Sequence, residues 1–455
     1  MPRFHDTIAA PATPNGTSAI AVLRASGSGA ARLAREIFDE APPPRLARHA
    51  DYHDRGGGLV DDVLFTFFAG PNSYTGEDSL EISCHGNPFI AQKILEDLIA
   101  RGCRLAEPGE FTKRAFLNGR MDLSQAEAVM DLISARSERA LAAANRQLRG
   151  SLGQHMSALT DRLLNVIARV EAYIDFPEED LPPEDRTFLD RELVGLTADT
   201  ERLLATSHYG ELLRDGIKTV IVGAPNVGKS SLLNRLVGRE RALVSPEPGT
   251  TRDFIEERIL VGPYCLRLID TAGLNPTPAP LEKLGMDKAL ECAAEADLLL
   301  LVLDGNDATS VIPAELLTED LKEKCFILFN KSDLYNNRSP IWPRSDWLGE
   351  SPVFDVSART GSGLNELIDA ITRYADRFKG DFERDLIAIN SRHSGALGSA
   401  RSQLNEARKK LGGGEAFELL ASDLRGALAC FGEIVGKIDN EAMLDRLFAT
   451  FCIGK

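Results

Sequence analysis

Residues Gly223-Ala-Pro-Asn-Val-Gly228-Lys229-Ser230 form a glycine-bounded loop between the β-branched run Lys218-Thr-Val-Ile-Val222 and the helical pattern Ser231-Leu-Leu-Asn-Arg-Leu-Val. Strand, glycine loop and helix in this order commit the surrounding chain to an α/β layer whose loop cradles phosphate. The glycines let backbone N–H groups curl around an anion, and the helix N-terminus adds partial positive charge. The loop would bring Asn226, Val227, Gly228, Lys229, Ser230 and Ser231 to a nucleotide. Lys229 can reach the β- and γ-phosphates, and the Ser230 hydroxyl can ligate Mg²⁺.

Later motifs choose the nucleotide. Leu266-Arg-Leu-Ile-Asp270 reads as a strand running into Asp270-Thr271-Ala272-Gly273. Asp270 there can hold Mg²⁺ through water, and the Gly273 amide can meet the γ-phosphate. Asn330-Lys331-Ser-Asp333 follows the apolar strand Phe326-Ile-Leu-Phe329. A carboxylate at Asp333 accepts from guanine N1–H and the 2-amino group, which adenine does not offer. Ser357-Ala358-Arg359 follows another strand and would back the base. Thr250 and Thr251 lie where a switch loop offers a hydroxyl to Mg²⁺. Each tetrapeptide alone is weak, and NKxD by itself is more often a solvated turn; their order, each after a strand, points to GTP. Leu274 stands where Ras-type enzymes use a glutamine to orient water, so another residue must do that. No arginine finger is evident, but the Asn226 side-chain carbonyl can hold a monovalent cation beside the phosphates.

A chain of 455 residues exceeds one core and predicts roughly three domains. No apolar stretch is long enough to span a bilayer, and no basic segment followed by an apolar run marks a leader. Seven scattered cysteines fit reduced thiols in the cytoplasm, not a disulfide frame or zinc site. A net charge of −16 argues against strong unaided binding to polyanions. Any RNA contact should use a local basic patch or a partner.

Residues 1–118 read as α+β, with strands at Ile20–Arg24, Val63–Phe68 and Leu80–Cys84 and a helix at Pro88–Ala100. Helices follow at Gln125–Gly150, Ser157–Ile174 and Phe188–Glu211, interrupted by prolines after Asp175. Strands and helices then alternate, predicting a parallel sheet covered on both faces. Helices return at Ser394–Leu411, Phe417–Phe431 and Asn440–Phe451. The expected organisation is an N-terminal α+β domain (1–118), a helical domain in two parts (119–215 and 379–455), and an inserted P-loop nucleotide domain (216–378).

Longer segments carry a resemblance: Gly70-Pro-Asn-Ser-Tyr-Thr-Gly-Glu-Asp78 with His85-Gly86, Pro108-Gly-Glu-Phe-Thr112 with Arg114-Ala-Phe-Leu-Asn-Gly119, Asp175-Phe-Pro-Glu-Glu179, Gly249-Thr-Thr-Arg-Asp253 and Phe451-Cys-Ile-Gly-Lys455. Over nearly the whole chain the sequence resembles the tRNA-modification GTPases called MnmE or TrmE. The resemblance implies a tetrahydrofolate-binding N-terminal domain, a helical domain and an inserted G domain. It implies a homodimer that works with an FAD-containing partner, MnmG (GidA), on C5 of the wobble uridine (position 34) of certain tRNAs. The one-carbon unit would come from 5-formyltetrahydrofolate or a related folate. GTP hydrolysis would be activated by K⁺.

Residue by residue, the resemblance implies that Asn226, Ser245, Glu247 and Thr250 surround K⁺, that Ser230 and Thr251 hold Mg²⁺, and that Glu282 organises the catalytic water. Ser245, Pro246, Glu247, Pro248, Gly249, Thr250 and Thr251 would meet the nucleotide as one loop. Arg24, Glu81, Arg120 and Lys455 would meet folate, with Cys452 as a chemical participant nearby. Taken without the resemblance, Glu282 is an exposed helix residue, Glu81 a strand glutamate facing water, and Arg24 and Arg120 surface arginines; Cys452 is equally a small core residue. Proline-rich Asn275–Pro280 and Ser245–Pro248 depart from the family pattern, and Arg120 stands where lysine is commoner. The alternatives are a regulatory GTPase switch or ribosome-assembly factor without modification chemistry, and a folate-dependent one-carbon transferase acting on small molecules.

Overall fold

A computed structural model describes residues 6–39, 43–175, 183–239, 255–270, 291–307, 318–335, 351–379, 387–436, 444 and 447–454. The chain divides into two compact units.

The first comprises Met1–Met130, Leu148–Thr160 and Phe431–Lys455. Its sheet contains β1 (Thr7–Pro11), β2 (Ile20–Gly27), β3 (Ala47–His53), β4 (Leu59–Phe68), β5 (Ser79–His85) and β6 (Arg104–Leu105), in the order β3-β4-β5-β2-β1-β6. Strand alternation puts Leu23, Ala25, Val63, Phe65, Leu80 and Ile82 into one core with Leu33 and Ile37 of α1 (Ala30–Phe38) and Ile94 and Leu98 of α2 (Pro88–Ala100). Residues of the other parity, Arg24, Glu81 and Thr66, stand in register across β2, β5 and β4. Ile8, Ala10, Ala106 and Phe111 form a second cluster with Tyr74 packed against it. Phe111 belongs to α3 (Glu110–Leu117), and α4 (Leu123–Ser134) starts a third cluster in which Leu123 and Ala126 meet Leu444, Phe448 and Phe451.

Arg114 on α3 is wholly buried and ion-pairs with Asp6, Glu77 and Glu110, while Arg104 binds Asp6 and Glu110. Burial by itself would raise the Glu110 carboxyl, but hydrogen bonds from Arg104, the Glu107 amide and Arg114 outweigh it and hold the group below its ordinary range. Asp6 is lowered by a similar balance. A carboxyl depressed in the folded state adds stability above its unfolded pKa, ~4.3, and loses it as pH falls through the lower folded value. The thermal midpoint should therefore drop as pH is taken from about 5 toward about 3. Glu110→Gln should flatten that drop while costing about 3 kcal/mol at neutral pH, because it removes one of the three carboxylates that compensate the buried Arg114 charge. Melting curves of both proteins across that range check this, and a pH-independent wild-type midpoint would contradict it.

The second unit comprises Asp131–Gln147 and Asp161–Cys430. Its sheet contains β7 (Ile217–Val222), β8 (Ile255–Val261), β9 (Tyr264–Asp270), β10 (Leu298–Asp304), β11 (Cys325–Asn330) and β12 (Val353–Asp355), in the order β12-β11-β10-β7-β9-β8. In β10, Leu298, Leu300 and Val302 enter one core while Leu299, Leu301 and Leu303 enter another, so both faces are covered. The expected all-parallel sheet is corrected in one respect: β8 runs antiparallel to β9. Only the turn Gly262–Pro263 separates these strands, too short for a crossover.

That hairpin is tied at its turn. Pro263 O accepts from the Arg139 amide (3.2 Å), and the Tyr264 hydroxyl donates to Asp376 beside the Tyr209 hydroxyl (3.3 Å). Two long helices expected from the sequence are each broken. Gln125–Gly150 becomes α4 and α5 (Glu138–Leu148), because the Ser137 hydroxyl accepts from the Ala140 amide and caps a new helix. Phe188–Glu211 becomes α7 (Pro183–Ala205) and α8 (Ser207–Asp215), after α6 (Ser151–Asp175). At that break, both the amide and hydroxyl of Thr206 turn back to Leu203 O. After α9 (Lys229–Arg239) and α10 (Leu364–Asp376) come helices α11 (Ser391–Gly413) and α12 (Phe417–Val435), and the helix expected at Asn440–Phe451 lies in part outside the described residues. Helix α11 packs along α7, with Arg186 donating to Leu411 O and Arg408 to Asp190.

Candidate functional site

Four loops leave the carboxyl ends of the parallel strands β7, β10, β11 and β12, the edge where α/β sheets bind ligands. The phosphate loop follows β7. Gly223 and Gly228 have φ of +155° and +100°, and Cβ atoms there would approach Val302 O to 2.2 Å and Asn330 Nδ2 to 2.3 Å. Only glycine fits both positions. Asn226 is left-handed (φ +64°) and exposed, and takes no hydrogen-bond partner among the described residues. Val227 is buried, and Ser230 and Ser231 are exposed at the start of α9. Lys229 Nζ donates to Gly223 O (2.8 Å) and Ala224 O (2.9 Å), which hold the ammonium over its own loop.

Asn330 closes the arrangement from behind. Its Nδ2 donates to Val227 O (2.8 Å) and its Oδ1 accepts from the Ala358 amide (3.0 Å). One buried amide thus joins the phosphate loop to the Ser357–Arg359 loop. Ser357 Oγ donates to Asp333 Oδ1 (2.6 Å), fixing the carboxylate, and Arg359 stands 3.9 Å from Asp333 Oδ2. Lys331 is left-handed (φ +65°) and pairs with Asp304 at 2.7 Å. Burial would raise Asp304, but hydrogen bonds from Lys331 and the Asn306 amide outweigh it and lower its pKa. Sequence reading missed Asp304. Its signal was positional: it ends the apolar run Leu298–Leu303 and stands in register with Asn330.

Alongside these loops, Ser231, Asn234, Arg235, Gly238, Ala358 and Arg359 line a cleft of about 370 Å³. The cavity between α5 and α8, about 30 Å³, holds no more than a water. The phosphate-loop donors are backbone N–H groups and an ammonium, and the exposed Asn226 and Ser230 side chains offer hard oxygens, a set that fits a polyphosphate with Mg²⁺ and an alkali cation. Glu282, Ser245–Thr251, Thr271–Gly273, Leu274, Asn275–Pro280, Lys455 and the Asp270 side chain lie outside the described residues.

In the N-terminal unit, the structure pairs Arg24 and Glu81 with each other: Nε and Nη2 of Arg24 both donate to Glu81 Oε1, at 2.9 and 2.7 Å. The Arg24 guanidinium carbon lies 5.4 Å from the centre of the Tyr74 ring and 5.7 Å from that of Phe111. Neither ring was legible as a neighbour from sequence. Arg120 is exposed, its stem against Gly76. Cys452 is exposed and not a core residue, and its main-chain O accepts from the Gly109 amide (3.2 Å). Cys84 is buried, which pushes its thiol up to about 11.

Residues 7–120 match the GTP-binding protein TrmE N-terminus, and residues 123–452 match the MnmE helical domain. The chain belongs to the MnmE family. A tRNA modification GTPase MnmE of Opitutus terrae is 59 % identical, with 100 % of both chains covered. Relatives carrying the same description are 44 % identical in Akkermansia muciniphila (99 % of each chain) and 42 % in Symbiobacterium thermophilum (99 % of this chain, 100 % of that one). The G domain of the T. maritima FeoB iron transporter is 31 % identical, covering 35 % of this chain and 98 % of that one, at a TM-score of 0.25, too low to bear on the fold. As an MnmE-family member the chain joins a TrmE-type α+β N-terminal domain, a helical domain and a Ras-like P-loop G domain. Among the described residues no helix is long and apolar enough to cross a membrane.

Proposed function

We propose that this chain is a K⁺-activated GTP hydrolase that, with an FAD-containing MnmG (GidA) partner, modifies C5 of the wobble uridine (position 34) of certain tRNAs using a folate one-carbon unit. It works as a cytoplasmic homodimer on four domain segments, 1–118, 119–215, 216–378 and 379–455. The close relatives described as tRNA modification GTPases support the hydrolase and its setting. The observation that most directly carries the nucleotide site is the Asn330 amide, which binds the phosphate loop and the Ser357–Arg359 loop to one strand end beside Asp333.

Loop amides from Asn226 to Ser231, with Lys229, hold the phosphates, assisted by the segments Ser245–Thr251 and Asp270–Gly273. Asp333, oriented by Ser357 and flanked by Lys331, Ala358 and Arg359, selects guanine. Mg²⁺ on Ser230 and Thr251, and K⁺ on Asn226, Ser245, Glu247 and Thr250, would when bound supply positive charge against the oxygens of the phosphoryl group in transfer. Glu282 orients water in place of Leu274. Arg24, Glu81, Arg120 and Lys455 bind 5-formyltetrahydrofolate or a related folate, with Cys452 beside it.

GTP turnover in matched potassium and sodium salts tests the cation. Wild type should be faster in potassium by roughly tenfold or more, and Asn226→Ala should lose that stimulation while keeping GTP affinity within about twofold. A variant still preferring K⁺ over Na⁺ removes Asn226 from the role. Product formation on tRNA with the FAD partner and folate tests the remainder. GTP turnover without modification would return the chain to the regulatory-switch reading.

A further inference from the structure

The loop Gly70–Asp78, between β4 and β5, touches the residues proposed for folate on two sides. On one, the Tyr74 ring lies beside the Arg24 guanidinium, and its hydroxyl is hydrogen-bonded to Thr112 Oγ1 (2.9 Å). On the other, a Cβ at Gly76 would stand 3.2 Å from both Arg120 Cγ and Asn118 Cβ, so this turn of the loop is packed against the Arg120 stem. Asn118 Nδ2 holds the adjoining Thr75 O at 2.8 Å.

What sets the loop at this depth is Glu77. Both its carboxylate oxygens lie 3.3 Å from Nη1 of the wholly buried Arg114, and Oε2 also accepts from Ser26 Oγ (2.9 Å). Arg114 is itself fixed by Asp6 and Glu110. The Glu77 main chain is drawn in as well: its amide donates to Thr75 Oγ1 (3.2 Å) and its carbonyl accepts from Ser73 Oγ. Thr75 Oγ1 in turn meets Ser26 Oγ (2.7 Å), so the loop floor is one connected polar set. A buried guanidinium shared among carboxylates resists losing any one of them, because the charge left behind has no water to turn to. Its planar fork also fixes direction, which a lysine would not.

We infer that Glu77, clamped by Arg114, is a positioning residue for the folate site, seating Tyr74 against Arg24 and Gly76 against Arg120. This rests on the folate reading proposed above. Glu77 acts on the ligand through the loop and not by contact. Loosening the clamp should therefore raise the folate concentration needed, without changing the rate once the site is full.

The test uses the full chain and 5-formyltetrahydrofolate. Glu77→Gln should weaken folate binding by roughly tenfold or more, because the loop that seats Tyr74 and Gly76 loses its charge-assisted tie to Arg114. GTP turnover by the same variant should equal that of wild type. In tRNA modification with the FAD partner, its half-saturating folate concentration should rise while the maximal rate is retained. Ser26→Ala, which removes one hydrogen bond to Glu77, should give a smaller loss of about threefold and provides the test if Glu77→Gln does not fold. Glu77→Gln binding within twofold of wild type, or a lowered maximal rate at unchanged half-saturation, overturns the inference alone. Absence of folate binding by wild type overturns the folate reading and the inference together.

Discussion

Lys229→Ala should lose guanine-nucleotide affinity by roughly a hundredfold or more and abolish measurable turnover. The ammonium rests on Gly223 O and Ala224 O at 2.8 and 2.9 Å, so it is already at the loop mouth before a phosphate arrives. Hydrogen bonds to charged groups contribute ~1.5–3 kcal/mol each. Removing one or two of them, with the attraction between ammonium and phosphate, amounts to about 3 kcal/mol or more, hence about two decades in affinity. Lys229→Arg should not rescue fully, because a planar fork cannot sit on two carbonyls as a compact ammonium does. Calorimetric titration with GDP and with a non-hydrolysable GTP analogue checks both variants. Near wild-type affinity in Lys229→Ala would remove the loop from phosphate binding.

Asp333→Asn should weaken GTP binding by roughly a hundredfold to a thousandfold and create affinity for xanthosine triphosphate. A carboxylate held by Ser357 Oγ at 2.6 Å presents acceptors to two neighbouring N–H groups of guanine. An asparagine amide presents one acceptor and one donor; the donor faces the guanine 2-amino group and leaves a buried mismatch. A site built around paired hydrogen bonds rejects a partner lacking them by several orders of magnitude. Xanthine carries a carbonyl where guanine carries the amino group, so the same asparagine matches it. Competition between the two triphosphates on wild type and variant measures the exchange. Equal guanine affinity in both proteins would detach Asp333 from base selection.

The nucleotide end of the molecule was legible because its residues are constrained locally. Gly223 is demanded by the close approach of Val302 O and Gly228 by that of the Asn330 side chain, and Asn330 ends and Asp333 follows a strand whose buried pattern is unbroken. What those motifs do for one another was not legible. That Asn330 spends both side-chain groups on protein backbone follows from strand order, in which β11 lies between β12 and β10. The N-terminal pair Arg24 and Glu81 is separated by 57 residues and two intervening strands; only the pairing of β2 with β5 brings them opposite. Arg114 entered the sequence reading only as part of the segment Arg114–Gly119, yet among the described residues of its unit it is the most deeply buried cation, because α3 turns it toward Asp6 and Glu77. The helix breaks at Ser137 and Thr206 escaped a periodicity reading because a single hydroxyl decides each, with no change in the apolar pattern on either side.

The two-stranded ribbon formed by β8 and β9 has a mechanical meaning. At one end Ile255 pairs with Asp270, so the chain arriving from Thr250–Thr251 and the chain departing toward Thr271–Gly273 are harnessed to the same rung. Its opposite end, roughly 20 Å away for strands of this length, is pinned by the Arg139 amide and by Tyr264 on Asp376. A ribbon gripped at its tip and loaded at its base turns as one lever, so a displacement of the Ile255–Asp270 rung carries torque to the start of α5.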